Sequence, residues 1–458
     1  MPSIASTTQP NNKLAPPPPP SFAEAFWYWL KLGFISFGGP AGQISIMHQE
    51  LVERRRWISE HRFLNALNYC MVLPGPEAQQ LATYIGWLMH GVKGGIVAGG
   101  LFVLPSVFIL IALTWIYLAF GNVPAVAGIL YGMKPAVTAI VLFAAYRIGS
   151  RALTNGALWA IAAAAFVAIF ALNVPFPYIV LGAGLIGYLG GRLTPDRFKT
   201  AGAHGSSDKS YGAALIDDHT PTPGHAYFKW SRFLLFIAVG LGLWAGIMAL
   251  LFAWYGWQGT LTQMGWFFTK AALLTFGGAY AVLPYVYQGG VEQYHWLTAA
   301  QMIDGLALGE TTPGPLIMVV AFVGFVGGWT KEVFGAHALF AAGSAGAVVA
   351  TFFTFLPSFL FIFLGAPAIE ATRKDVKFTA PLTGITAAVV GVILNLAVFF
   401  AYHVLWPQGF SDYFEWFSVL IGIAAFIALF RYKIGVIPVV LSCGGIGLAY
   451  TLLKAVLV

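Results

Sequence analysis

Charge is scarce in this chain. Asp, Glu, Lys and Arg supply 9% of its 458 residues, against a usual share of roughly a quarter. With 59% hydrophobic residues and a mean hydropathy of +0.77, that scarcity excludes a soluble globular domain and predicts an all-α polytopic membrane protein. Cysteine is nearly missing too: Cys70 and Cys443 stand alone in apolar segments, which excludes a zinc, iron–sulfur or disulfide framework. There is no phosphate-cradling Walker loop, no nucleophile beside a base and no His/Asp/Glu metal spacing, since His48, His90 and His337 are single. No cofactor and no metal are therefore expected, and an ATPase or metalloenzyme is disfavoured. The net charge of +7 does not mark a nucleic-acid binder, because Lys and Arg cluster between apolar runs and so read as orientation signals. Residues 1–21 lack the three-part pattern of a signal peptide and carry polyproline at Pro16 to Pro20, so a disordered cytoplasmic tail is expected.

The chain contains itself twice. A shift of 239 positions carries Lys31, Ser36, Phe37, Gly38 and Gly39 onto Lys270, Thr275, Phe276, Gly277 and Gly278, and Pro74-Gly75-Pro76 onto Pro313-Gly314-Pro315. Trp27, Glu53 and Trp57 fall on Trp266, Glu292 and Trp296 in the same ungapped register. Two homologous halves with breakers at matching places are the pattern of secondary transporters. The expected organisation is a first repeat at 22–191, a polar cytoplasmic linker at 192–231, an extra reorienting span at 232–257 and a second repeat at 258–458.

In each repeat the first apolar runs are too short to span a bilayer and come in pairs, split at Gly38-Gly39-Pro40, at Pro74-Gly75-Pro76 and at their counterparts. Gly opens the left-handed region and Pro removes a donor, so each pair should be two half-helices joined by a re-entrant turn. Such backbone survives in a membrane only where protein buries it or a wet cavity receives it. Arg54, Arg55, Arg56 and Arg62 fix the first inter-pair loop in the cytoplasm, and the shift replaces them with Gln293, Tyr294, His295 and Gln301. Loss of all four predicts inverted repeats. Arg147, Arg151, Arg192 and the cluster Arg373, Lys374 and Lys377 then face the cytoplasm with the N-terminus. Nine crossings plus four re-entrant hairpins satisfy these signs, and thirteen plain crossings give the same end positions.

Lys31 and Lys270 sit inside apolar runs, where insertion of a lysine costs roughly 2.5–3.5 kcal/mol, so an anion is one way to repay them. The following half-helix would offer unpaired N–H groups at Gly38, Gly39, Gly277 and Gly278, with Ser36 and Thr275 adding hydroxyls. The alternative is that each lysine snorkels as an interface anchor. Glu77, Gln79 and Gln80 follow the first Pro-Gly-Pro, whereas Glu310, Thr311 and Thr312 precede the second. Glu77 and Glu310 are candidates for proton coupling, or else a helix cap and a loop acid. Asp304, the counterpart of Asn65, is a weaker candidate of the same kind. Ser59 and Thr298 read as N-caps, the latter with Gln301 in a capping box.

Phe37-Gly38-Gly39-Pro40, the stretch from Glu50 to Trp57, Pro74-Gly75-Pro76-Glu77 with Gln79 and Gln80, and Phe102 to Ser106 together resemble the chromate transporter (CHR) family, in its long two-domain form. The resemblance covers nearly all of the chain after residue 21. It implies export of chromate, a tetrahedral dianion, across the cytoplasmic membrane and resistance to it. The second copy departs from the first at Ala279 in place of Pro40 and at Leu316 in place of Glu77, so the halves are not expected to act equally. Sulfate or another oxyanion is the alternative substrate. A membrane-embedded lipid-phosphate enzyme is the alternative of another class, and the nucleophile or metal cluster it needs beside the breaks is missing. The expected partners are the oxyanion and the lipid bilayer, with a homodimer left open.

Overall fold

The computed structural model describes residues 16–198, 211–218, 220–221, 223–372, 379–410 and 413–457. Residues 1–15 of the expected tail, 199–210 of the expected linker, and Arg373, Lys374 and Lys377 lie outside the described residues. In chain order the helices are α1 Phe22–Ile35, α2 Gly39–His48, α3 Glu60–Val72, α4 Glu77–Phe120, α5 Pro124–Ala152, α6 Gly156–Phe170, α7 Phe176–Leu193 and α8 Trp230–Tyr255. They continue as α9 Thr260–Leu274, α10 Ala279–Tyr287, α11 Ala299–Thr311, α12 Val319–Thr330, α13 Leu339–Thr372, α14 Thr379–Leu405, α15 Trp416–Phe430 and α16 Val436–Leu457. Among the described residues α4, α5, α7, α8, α13, α14 and α16 are long and apolar enough to cross a membrane. Their outward faces carry large apolar side chains such as Phe108, Leu234 and Trp254, which suit contact with lipid.

Local chemistry sets the ends. The Ser21 hydroxyl accepts from the Glu24 amide at 3.1 Å and that of Ser59 from the Arg62 amide at 3.2 Å. At Thr298 the capping box forms in full, with Gln301 reaching back to the Thr298 amide at 2.8 Å. α4 is two antiparallel limbs, 77–89 and 92–120, because His90 and Gly91 leave helical geometry and Gly91 takes φ +64°. Gly86 and Gly94 let the limbs touch: a Cβ on Gly94 would lie 2.2 Å from the Gly86 carbonyl oxygen. In the second half α12 and α13 meet the same way through Gly324 and Gly346.

The four broken pairs are hairpins, each with both ends on one side. Arg55, in the turn after α2, pairs with Glu24 at the start of α1 at 3.1 Å and lies over Tyr28 and Trp57. Tyr69 of α3 packs against Tyr84 of α4, and Arg62 shares a cavity wall with Leu88, Met89 and His90. In the second half Phe267 of α9 stacks on Tyr285 of α10 and meets Trp296. Thr330, at the end of α12, donates to the Trp296 carbonyl at 2.8 Å. The hairpin bases thus form two groups, one around Arg55, Arg62 and His90, the other around Phe267, Trp296 and Thr330. The long helix α13 starts beside Gly328 in the second group and reaches Arg62 in the first through Glu370.

Part of the linker is a strap. Ile216 bridges Ile58 in parallel, its amide bonding the Trp57 carbonyl at 3.1 Å while its carbonyl accepts from Ser59 at 3.0 Å. Ser59 also donates to Asp218 at 2.9 Å. α8, the extra span, packs on α9 and α13 and is otherwise exposed.

Candidate functional site at the hairpin tips

The tips of the two halves interlock reciprocally. The Gly75 amide of the first Pro-Gly-Pro donates to the Thr275 carbonyl at 2.7 Å, and the Gly314 amide of the second donates to the Ser36 carbonyl at 2.8 Å. Gln43 of α2 ties the second crossing, its amide donating to the Gly314 carbonyl at 2.6 Å and the Ser36 carbonyl at 3.3 Å. These turns are close enough that only glycine fits. At Gly75 (φ +127°) a Cβ would meet the Ser358 hydroxyl at 2.4 Å and the Gln80 amide nitrogen at 2.6 Å; at Gly314 (φ +105°) it would meet the Ser106 Cβ at 2.8 Å. Ser106 and Ser358 come from Leu104-Pro105-Ser106 and Leu356-Pro357-Ser358, so each Pro-Gly-Pro rests on a Pro-Ser helix of the other half.

This layer is polar and incompletely bonded. The hydroxyls of Ser36, Ser106 and Ser358 and the side-chain carbonyls of Gln43, Gln79 and Gln80 are buried with no hydrogen-bond partner among the described residues. Their amide ends are engaged, Gln79 with Thr83 at 3.0 Å and Gln80 with the Pro74 carbonyl at 2.8 Å. Thr275 differs from Ser36 in giving its hydroxyl to the Ala271 carbonyl at 2.7 Å. A buried group left without a partner costs about 1–3 kcal/mol, so this concentration of orphans calls for a ligand or an opening motion. Beside it, Gly38, Gly39, Gly277 and Gly278 all take positive φ. Space is open where a Cβ would stand on Gly38, Gly39 and Gly278. These glycines start α2 and α10, whose first N–H groups have no partner within the helix.

The structure brings Ser36, Thr275, Gln79, Gln80, the glycine pairs and both Pro-Gly-Pro breaks to one layer, with Pro40 in the first turn of α2 and Pro74, Pro76, Pro313 and Pro315 flanking the crossing glycines. Lys31 and Lys270 are elsewhere. Lys31 is exposed on the face of α1 that also carries Trp27 and Phe34, and Lys270 lies over the Trp266 ring at 5.8 Å. Lys31 therefore occupies an outward face and Lys270 is half-buried, each a turn after a tryptophan, an arrangement that suits an anchor. Glu77 opens α4 half-buried at the layer, with no hydrogen bond or ion pair among the described residues. Glu310 accepts from the Tyr280 hydroxyl at 2.5 Å. Asp304 is buried, receives the Tyr117 hydroxyl at 3.0 Å and pairs with Lys134 at 3.4 Å.

Gln43, Ser358, Lys134 and Tyr117 were not singled out by sequence reasoning. Leu-Pro-Ser repeats at an offset of 252, which the shift of 239 hides, and that duplication is the signal that marks Ser106 and Ser358 together.

Two homologous halves of broken helices, interlocked through a buried polar layer, define a polytopic membrane protein of duplicated, re-entrant architecture. Residues 23–188 and 262–448 both match the family described as chromate transporter, and the chain belongs to that family. It is 32% identical over 446 residues to the chromate transport protein of Pseudomonas aeruginosa, covering 96% of this chain and 95% of that one. With the chromate transport protein of Cupriavidus metallidurans it shares 30% identity over 375 residues, 82% of this chain and 81% of the other. The probable chromate transport protein of Synechococcus elongatus is 29% identical over 417 residues, 91% of each. No solved structure gives a significant match.

Proposed function

We propose that the protein is a secondary transporter that exports chromate from the cytoplasm across the cytoplasmic membrane and so confers resistance. The observation that carries this reading is the buried tip layer, where unpartnered hydroxyls adjoin the open, glycine-lined starts of two half-helices. A tetrahedral dianion suits such a place, since helix starts and hydroxyls supply donors without a fixed charge that would hold it too tightly. Relatives named chromate transport protein, aligned over most of their length, favour chromate over other anions. A cytoplasm-negative potential favours outward movement of two negative charges by about 4.6 kcal/mol per 100 mV. The halves are inverted in this reading. Support comes from the two separate groups of hairpin bases, joined by α13, and from the arginines that only the first group carries. Glu77, the unpartnered acid of the layer, is the proposed site of any proton coupling, and Glu77→Gln should then flatten the pH dependence of transport while leaving chromate affinity in place.

Chromate uptake into everted membrane vesicles tests the reading. The logarithm of the wild type's chromate accumulation should rise in proportion to an imposed interior-positive potential, and Ser36→Ala should raise the half-saturating concentration about tenfold, the worth of one hydrogen bond to a charged ligand. Absence of wild-type uptake would refute export of chromate. Sulfate competing at equal concentration would replace chromate with a broader oxyanion class.

A further inference from the structure

Two ion pairs flank the tip layer, one near each group of hairpin bases; the first is buried on both sides, and the second joins a buried acid to a half-buried lysine. At the first, Arg62 of α3 meets Glu370 of α13 at 3.7 Å, and Tyr84 of α4 donates to the other Glu370 oxygen at 2.7 Å. At the second, Lys134 of α5 meets Asp304 of α11 at 3.4 Å, and Tyr117 of α4 donates to the same Asp304 oxygen at 3.0 Å. Each pair takes its cation from the first half and its acid from the second. Each also ties a half-helix that leads to a tip, α3 or α11, to a helix of the opposite half. They are not copies of one motif: the repeat shift puts Gln301 opposite Arg62 and Asn65 opposite Asp304, so each half bears its charge at a different position.

Neither pair is explained by stability alone. Removing two charges from water costs several kcal/mol per ion, and apolar residues of the same volume would hold such a contact as well. Both sites are also incompletely satisfied, with one nitrogen of Arg62 and Oδ1 of Asp304 buried without a partner among the described residues. A costly, half-bonded polar contact between bodies that must move apart is a contact suited to break and re-form, because water meets the exposed charges once the bodies separate.

We propose that these two pairs are the gates of the transport path. Arg62, Glu370 and Tyr84 close it toward the arginine-bearing side, and Lys134, Asp304 and Tyr117 close it toward the opposite side. Both are formed here, and Ser36, Gln79, Gln80 and Thr275 of the layer between them are each 0% exposed. In transport the gates open in turn. The inference rests on the secondary-transporter reading above, taken to work by alternating access, but not on the identity of the anion.

The test is side-specific accessibility. In a background lacking both cysteines, Ser36→Cys reports on the layer through an impermeant thiol reagent applied to right-side-out and inside-out vesicles. Arg62→Gln with Glu370→Gln should raise labelling from the arginine-bearing side about tenfold, a shift of about 1.4 kcal/mol in the gate equilibrium, and lower it from the other. Lys134→Gln with Asp304→Asn should do the reverse. Neutralising both partners avoids an uncompensated buried charge, and Tyr84→Phe and Tyr117→Phe should shift labelling in the same two directions by less. Labelling that is unchanged in all four variants, or that rises from one side in both classes, overturns the proposal. Opposite shifts in a protein that carries no chromate would keep the gates and refute the substrate.

Discussion

Valine at Gly314 or at Gly75 is expected to abolish transport and to lower the yield of folded protein. Both glycines are crossing points at which an amide of one half reaches a carbonyl of the other, and both hold φ values that side chains rarely adopt. The first added carbon alone would sit 2.4 Å from the Ser358 hydroxyl or 2.8 Å from the Ser106 Cβ. Strain and overpacking together amount to about 2–5 kcal/mol, enough to part the tips in a protein of ordinary stability. Alanine at Gly38, Gly39 or Gly278 is the contrasting case, since those positions carry the strain but meet open space. These variants should fold and should lose transport only so far as the anion needs that space. Vesicle flux, read beside the monodisperse fraction in detergent, separates the two classes. Wild-type flux in both valine variants would show that the crossings have no part in transport.

Opposite-sided labelling is expected for Arg55→Cys and Tyr294→Cys, each introduced into a background lacking Cys70 and Cys443. Residue 55 lies in the base group of the first half, beside Glu24 and Glu50, which its arginine bonds at 3.1 and 2.9 Å. Tyr294 stacks on Trp296 in the base group of the second half. Inverted halves put the first in the cytoplasm and the second outside, so an impermeant reagent should reach each from one side alone. Labelling of both from the cytoplasm would make the repeats parallel and remove the case for a central path entered from either face.

Breaks were legible in the sequence because Gly and Pro act on their own backbone. Gly38-Gly39-Pro40 and Pro74-Gly75-Pro76 end helices wherever they stand, and the caps at Ser59 and Thr298 are just as local. How the tips meet was not legible, since the crossing bonds run between amide and carbonyl and leave no mark on side-chain identity. Lys31 and Lys270 show the limit of reading charge without direction. Hydropathy finds a lysine in an apolar run but does not say which face of the helix it leaves from; Trp27 and Trp266, one turn earlier, mark that face. Lys134 and Glu370 carry the same cost of charge in an apolar run, but the sequence does not say what each one pairs with, and only packing reveals their partners.

The reciprocal crossing makes the two halves mutual templates. Gly75 finds its acceptor only at Thr275 and Gly314 only at Ser36, so a single half made alone would bury amides that nothing answers, at about 1–3 kcal/mol each. The halves are therefore obligate complements, and cutting the chain within residues 199–210 should yield two fragments that are each short-lived alone and stable when synthesised together.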